Sequence, residues 1–308
     1  MHYTKLIAFP ESSPSRPIAA QSVGPDAVAP RINLGPIAID TFSQDELVDE
    51  VLQHALHGKV TRQVVTANAQ FYVLAQKSRR FRECLCEADY ICADGMPIVW
   101  ACNLFGEGRV PRIAGVDLIE KLCQRGAAHR IRIFLLGGRP EAAHATAEIL
   151  SQHYPGIQIV GVNCPLFGFE RREQSLQQVL DHIATAKPNV LFVGLGAPKQ
   201  EFLIREHIRP MHIPLAVGIG GSFEILSGKL NRAPMWMQST GLEWAYRLFQ
   251  EPQRLWRRYL IGNAEFLWYI ARWALQRFPL SLAERSPVLR PPPNPGQATT
   301  VLDSPTRS

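Results

Sequence analysis

The chain has 308 residues, of which 46% are hydrophobic and 19% charged, with a formal net charge of +6. These proportions exclude a chain that is disordered throughout, and the lack of any run of about 18–20 uninterrupted apolar residues argues against a bilayer-spanning helix. The mild basic excess points to an anionic partner, and nucleic acid, phospholipid headgroups and a nucleotide diphosphate all satisfy it.

Half of the 24 prolines fall in residues 1–30 and 279–308, stretches rich in Ser, Pro, Ala and Gln without hydrophobic period. Their composition is that of disordered tails. Leu6 to Phe9 is too short for a signal-peptide core, so the expected location is the cytoplasm. Ser43-Gln44-Asp45-Glu46 has capping-box form, and Leu47, Val51, Leu52 and Ala55 follow at helical spacing. Gln63–Thr66 reads as a strand, with a helix after Asn68 running to about Cys86. Tyr90–Ala93 reads as a second strand that ends at Asp94-Gly95, and Pro97 suits the first turn of the next helix. Further strands are expected at Ile131–Leu136, Ile157–Val162, Val190–Val193 and Leu215–Val217, with helices between them.

Continuous apolar strands alternating with helices predict an α/β fold, a Rossmann-like and mostly parallel sheet with helices on both faces. After Trp236 the strand signals stop. Residues 236–278 hold five of the six tryptophans and six arginines against three acidic residues. The expected organisation is an α/β domain over 31–235, a basic and aromatic helical appendage over 236–278, and the two tails. The cysteines at 84, 86, 92, 102, 123 and 164 form no C-x-x-C pair and have no His cluster beside them, so reduced core thiols are expected.

Ligands of a parallel sheet bind at the carboxyl ends of its strands. Three glycine-rich turns lie at such ends: Gly137-Gly138, Gly194 with Gly196, and Gly218 with Gly220-Gly221. Backbone N–H groups there and the following helix N-termini suit a diphosphate. A single such turn needs no ligand to explain it, but three on one edge point to one. None matches the dinucleotide or P-loop fingerprints. Asp94 at its strand end is either a general base facing the crevice or a turn-forming cap. Thr66, Asn68, Lys199 and Gln200 are either ligand contacts or ordinary turn and first-turn residues. Arg112 is a loop cation able to meet phosphate. Arg247, Arg254 and Arg257 share one face if their helix is continuous, the pattern of a membrane-surface helix or of a packed helical subdomain. No D-x-D pair occurs, so no metal cofactor is expected.

These segments in this order resemble the WecG/TagA/CpsF family of bacterial glycosyltransferases. The resemblance runs through Val65-Thr66-Ala67-Asn68, Ala93-Asp94-Gly95, Arg112-Ile113-Ala114-Gly115-Val116-Asp117 and Phe134–Gly138. It continues through Gly194–Glu201, Gly218–Phe223, Arg232-Ala233-Pro234, Gly241–Trp244 and Glu251-Pro252, covering about residues 35–270. It implies inverting transfer of a hexose, N-acetylmannosamine in type, from a UDP-sugar to a polyprenyl-diphosphate-linked sugar at the inner face of the membrane. It further implies Asp94 as catalytic base, Thr66, Asn68, Arg112 and Gln200 as substrate contacts, and the appendage with Arg247, Arg254 and Arg257 as the part that meets the membrane and completes the site. A nucleic-acid partner is not implied, and a homo-oligomer is compatible. A UDP-glucose donor, a nicotinamide-dependent oxidoreductase and a non-catalytic nucleotide-sugar sensor are the alternatives. The Pro-rich tails depart from the family pattern.

Overall fold

The computed structural model describes residues 30–106 and 108–277. Both proline-rich tails expected from composition lie outside the described residues. The chain opens with an antiparallel hairpin, β1 (Arg31–Asn33) and β2 (Ala38–Asp40). Three residues per strand are too few for a period to show in sequence, and this hairpin is not foreseen. Its anchor is Asp40, whose Oδ2 accepts the N–H of Ile91 at 2.5 Å while Arg31 pairs with Oδ1 at 2.7 Å. The expected capping box is present at the start of α1 (Gln44–His57), where Ser43 and Glu46 bond each other's backbone N–H.

The body then alternates: β3 (Arg62–Ala67), α2 (Ala69–Lys77), α3 (Arg79–Cys86), β4 (Tyr90–Ala93), α4 (Met96–Phe105), α5 (Gly115–Gly126), β5 (Arg132–Gly137), α6 (Pro140–His153), β6 (Gln158–Asn163), α7 (Glu173–Ala186), β7 (Val190–Gly194), α8 (Lys199–Leu203), β8 (Leu215–Gly218) and α9 (Ser222–Leu226). All six strands expected from the apolar runs form, within a residue or two of the expected ends. They pair in parallel in the order β4-β3-β8-β7-β5-β6. Successive side chains alternate faces. Val64, Leu135, Phe192 and Val217 pack into one core with α1, α5 and α6. Val65 faces a second core, and Phe134, Leu191 and Ala216 a third, on the other side of the sheet. Burial on both faces is why the strands read as continuous apolar runs.

Beyond the sheet come α10 (Met235–Ser239), α11 (Glu243–Gln250), α12 (Pro252–Trp256), a π-turn over Arg257–Ile261, and α13 (Gly262–Arg277). Pro252 ends α11 and starts α12, so the continuous helix through Arg247 and Arg254 does not form. α13 folds back onto the body. Phe266 and Ile270 join the core beside α2, Tyr72 meets Phe266 edge-on at 5.3 Å, and Lys77 pairs with Glu265 at 2.5 Å. Trp273 lies against Phe105 and the Gly35 turn, where an added Cβ would stand 2.8 Å from its ring.

Candidate active site

The sheet order brings the carboxyl ends of β4, β3, β8 and β7 side by side. The turns after them line one crevice, and α11 together with the π-turn closes its far wall. The crevice has two lobes that share Asn68, Asp94, Glu243, Arg247 and Arg258. One, of about 920 Å³, lies along the turns after β7 and β8. The other, of about 690 Å³, lies between the start of α4 and the appendage, lined by Met96, Trp244 and Tyr259.

Asp94 stands where the lobes meet. Its N–H donates to Ala67 O at 2.7 Å, which holds it to the end of β3. Gly95 follows at φ +127°, a conformation costly for any side-chain-bearing residue, and lets the chain turn sharply into α4. Gly95 is the cap of that helix and no side chain bonds the helix end. Capping therefore does not account for Asp94. Burial pushes its carboxyl up to about 6, against the opposing pull of Arg112, with Glu243 raising it further and Arg247 and Arg258 lowering it. At neutral pH it is still mostly ionised and is a stronger base than an ordinary carboxylate.

Arg112 reaches Asp94's surroundings because its loop extends the sheet edge. Ile113 N–H donates to Ala93 O at 2.8 Å and Arg112 bridges Ala93. Its guanidinium is already engaged, paired with Glu243 and donating to Gln238 Oε1 at 3.4 Å. Arg112 thus joins the body to the appendage.

Gln200 lines the larger lobe and is also bonded within the protein. It is buried, its Oε1 accepts the N–H groups of Gly196 and Gly220 at 3.1 Å each, and its Nε2 donates to Glu201 Oε1 at 2.7 Å. Rather than presenting a free amide, it staples two glycine turns together. The N–H of Gly138 likewise donates to Gly194 O at 3.0 Å. The N–H groups of Gly138, Gly196 and Gly220 are therefore engaged within the protein, while Gly196, Gly220 and Gly221 line the larger lobe. Gly137 and Gly138 lie outside the crevice lining altogether, because β5 is one strand further out than β7. Lys199 also faces elsewhere, paired with Glu170 at 2.9 Å and set over the Phe167 ring. Thr66 lines the larger lobe, but its hydroxyl donates to Gly218 O at 2.8 Å. Asn68 caps α2 by accepting Gln70 N–H at 3.0 Å and lines both lobes.

Of the three appendage arginines expected, Arg247 and Arg254 line the larger lobe. A Cβ built at Gly221 would lie 3.2 Å from Arg247 Nη2, so this guanidinium sits on the β8 turn. Arg254 pairs with Glu251. Arg257 is exposed, stacks on Trp256 and lies outside the crevice lining. In its place the π-turn carries Arg258 into both lobes. Sequence reasoning also passed over Glu243 and Glu224. Glu224 is buried in the larger lobe with Oε2 unbonded among the described residues, an acceptor suited to a sugar hydroxyl. Both glutamates lie in or beside segments already singled out, Gly218–Phe223 and Gly241–Trp244, so a signal for them existed. Among the described residues no group of three or more His, Cys, Asp or Glu could hold a metal ion, and no helix is long and apolar enough to cross a membrane.

The sequence signature of the glycosyl transferase WecG/TagA/CpsF family matches residues 32–279. The chain belongs to this family. It is a glycosyltransferase, which sets aside the oxidoreductase alternative. A Bacillus spizizenii N-acetylglucosaminyldiphosphoundecaprenol N-acetyl-beta-D-mannosaminyltransferase is 36% identical over 197 residues, 64% of this chain and 74% of that protein. The enzyme of the same name from Bacillus subtilis strain 168 is 32% identical over 213 residues, 69% of this chain and 80% of its own.

Proposed function

We propose that this glycosyltransferase moves an N-acetylmannosamine residue from a UDP-sugar to the sugar of a polyprenyl-diphosphate-linked N-acetylglucosamine, in one displacement that inverts the anomeric centre. The observation that carries the reading is Asp94, a carboxylate with a raised pKa and no side-chain hydrogen bond among the described residues, at the junction of the two lobes. Asp94 takes the proton of an acceptor hydroxyl as its oxygen attacks the anomeric carbon and UDP departs, a contribution of about 10²–10⁴ in rate. The glycine-turn lobe suits the donor: Arg247 lies on the β8 turn to meet diphosphate charge, and Glu224 Oε2 can accept from a hydroxyl of ribose or hexose. The lobe lined by Met96, Trp244 and Tyr259 suits the acceptor, whose prenyl chain would leave toward the appendage. No metal is required in this scheme, because guanidinium groups carry the charge compensation. The names of the two Bacillus relatives support this choice of acceptor.

The appendage is proposed to sit on the membrane surface. Phe249, Leu260, Leu267 and Trp268 are exposed apolar side chains interleaved with Arg257 and Arg272, a combination suited to an anionic interface. A panel of UDP-sugars offered with a soluble prenyl-diphosphate N-acetylglucosamine analogue, read by mass spectrometry, tests the reaction. A product heavier by one N-acetylhexosamine, formed in the presence of a chelator, is expected from UDP-N-acetylmannosamine. Transfer from another UDP-sugar alone would reject the donor.

A further inference from the structure

Behind the crevice wall stands a carboxyl that the proposed reaction does not use. Glu201 of α8 is fully buried and lies outside the lining of both lobes. Its Oε1 accepts Gln200 Nε2 at 2.7 Å, and its Oε2 has no hydrogen-bond partner among the described residues. Burial pushes the carboxyl up to about 7, against the lowering pull of the Gln200 amide and of its own backbone N–H, and no cation shares in that pull. Arg205, four residues on, is committed to Glu87 at 2.7 Å. Cys84 of α3 supplies no positive charge either, its thiol being pushed up to about 12 by burial first and by Glu201 next. A carboxyl taken out of water without a cation costs stability that an apolar side chain of the same size would not. Its one side-chain bond is the bond to Gln200.

That bond bears on the crevice because an amide has two unlike ends. Gln200 Oε1 accepts the N–H groups of Gly196 and Gly220 at 3.1 Å each, so the amide must present its oxygen to the two turns. Turned over, it would set an NH2 donor against two N–H donors. An acidic acceptor on the far side opposes that orientation, since a carboxylate takes an N–H and repels a carbonyl oxygen. Gly218 makes room for the pair: a Cβ built there would stand 2.7 Å from Gln200 Nε2 and 3.1 Å from Glu201 Oε1. Gly196 and Gly220 both line the larger lobe. The line of contact therefore runs from Glu201, through the Gln200 amide, to the turns after β7 and β8.

We infer that Glu201 is a positioning residue for the donor: it orients the Gln200 amide, which holds the Gly196 and Gly220 turns in the shape that receives a nucleoside diphosphate sugar. The inference rests on the reading that the larger lobe takes the donor. Full-length wild type, Glu201→Met, Glu201→Gln, Gln200→Ala and the double variant that joins Gln200→Ala to Glu201→Met are titrated calorimetrically with UDP. A second titration uses a soluble prenyl-diphosphate N-acetylglucosamine analogue. Methionine is close to glutamate in size but is only a weak acceptor. Glu201→Met should therefore bind UDP about 10-fold more weakly and the analogue as wild type does. Glutamine keeps an acceptor oxygen, so Glu201→Gln should recover most of the UDP affinity. On Gln200→Ala the second substitution should add nothing, because the amide through which Glu201 acts is gone. Wild-type UDP affinity in Glu201→Met overturns the inference. So does equal weakening toward both ligands, a Glu201→Gln no better than Glu201→Met, or a loss as large on Gln200→Ala as on wild type. Where Glu201→Met does not fold, Glu201→Ala carries the same expectations, and failure of both to fold overturns the inference by making Glu201 a residue of the fold alone. Weakened binding of the analogue alone, or a wild type that does not bind UDP, overturns the donor reading of the lobe and the inference with it.

Discussion

The two walls of the crevice differ in what they do with their amides and guanidinium groups. On the sheet side, Gln200 bonds both glycine turns and Glu201, and Thr66 bonds Gly218, so these buried polar groups meet partners inside the protein. On the appendage side, Arg247 and Arg258 face the cavity with no such partner among the described residues. The sheet wall is a preorganised frame whose shape exists before any ligand arrives. The appendage wall brings guanidinium groups to the cavity around Asp94. Asp94 belongs to the first wall by backbone and to the second by electrostatics, since burial raises its carboxyl while Arg112, Arg247 and Arg258 restrain the rise.

Three substitutions probe this division, the largest effect first. Asp94→Asn removes the base and leaves both walls intact. Turnover should fall by about 10²–10⁴ while UDP affinity changes little. A variant that keeps more than half of the wild-type rate would remove Asp94 from the chemistry. The same variant should melt higher at neutral pH. The folded carboxyl, at about 6, lies above its ordinary value, so stability is lost as pH rises through the window between the two, and the amide escapes that loss.

Gln200→Ala attacks the frame. It leaves the N–H groups of Gly196 and Gly220 and the Glu201 carboxyl without their partner. A buried group left unsatisfied costs about 1–3 kcal/mol. For a folded region of this size each kcal/mol lowers Tm by about 2–4 °C. Scanning calorimetry should show that fall, together with a raised KM for the donor. An unchanged Tm with a raised KM would return Gln200 to the role of direct contact.

Glu243→Gln is the mildest, because it crosses from one wall to the other. It removes a like charge beside Asp94 and frees Arg112, and both changes lower the Asp94 pKa. Activity needs the ionised base, so kcat/KM in the wild type should drop as pH falls through about 6. In the variant that acid limb should move to lower pH. A pH–rate profile superimposable on wild type would show that Glu243 does not reach the base electrostatically.

The six strands and their order of appearance, the capping box at Ser43, the turn at Asp94-Gly95 and the family itself were all legible in the chain, because each depends on local composition or short spacing. Continuous apolar runs can only satisfy their burial inside a covered parallel sheet. Tertiary structure alone decided which polar groups are free. Gln200 and Arg112 carry the right chemistry for ligands, yet Gln200 also bonds the N–H of Gly220, 20 positions on, and Arg112 pairs with Glu243, 131 positions on. Strand order placed Gly137-Gly138 one strand beyond the crevice, and of the adjacent arginines 257 and 258 it is Arg258 that lines both lobes. Hydrogen-bond satisfaction is a property of the whole packed molecule, so no reading of one segment could have told an occupied donor from an open one.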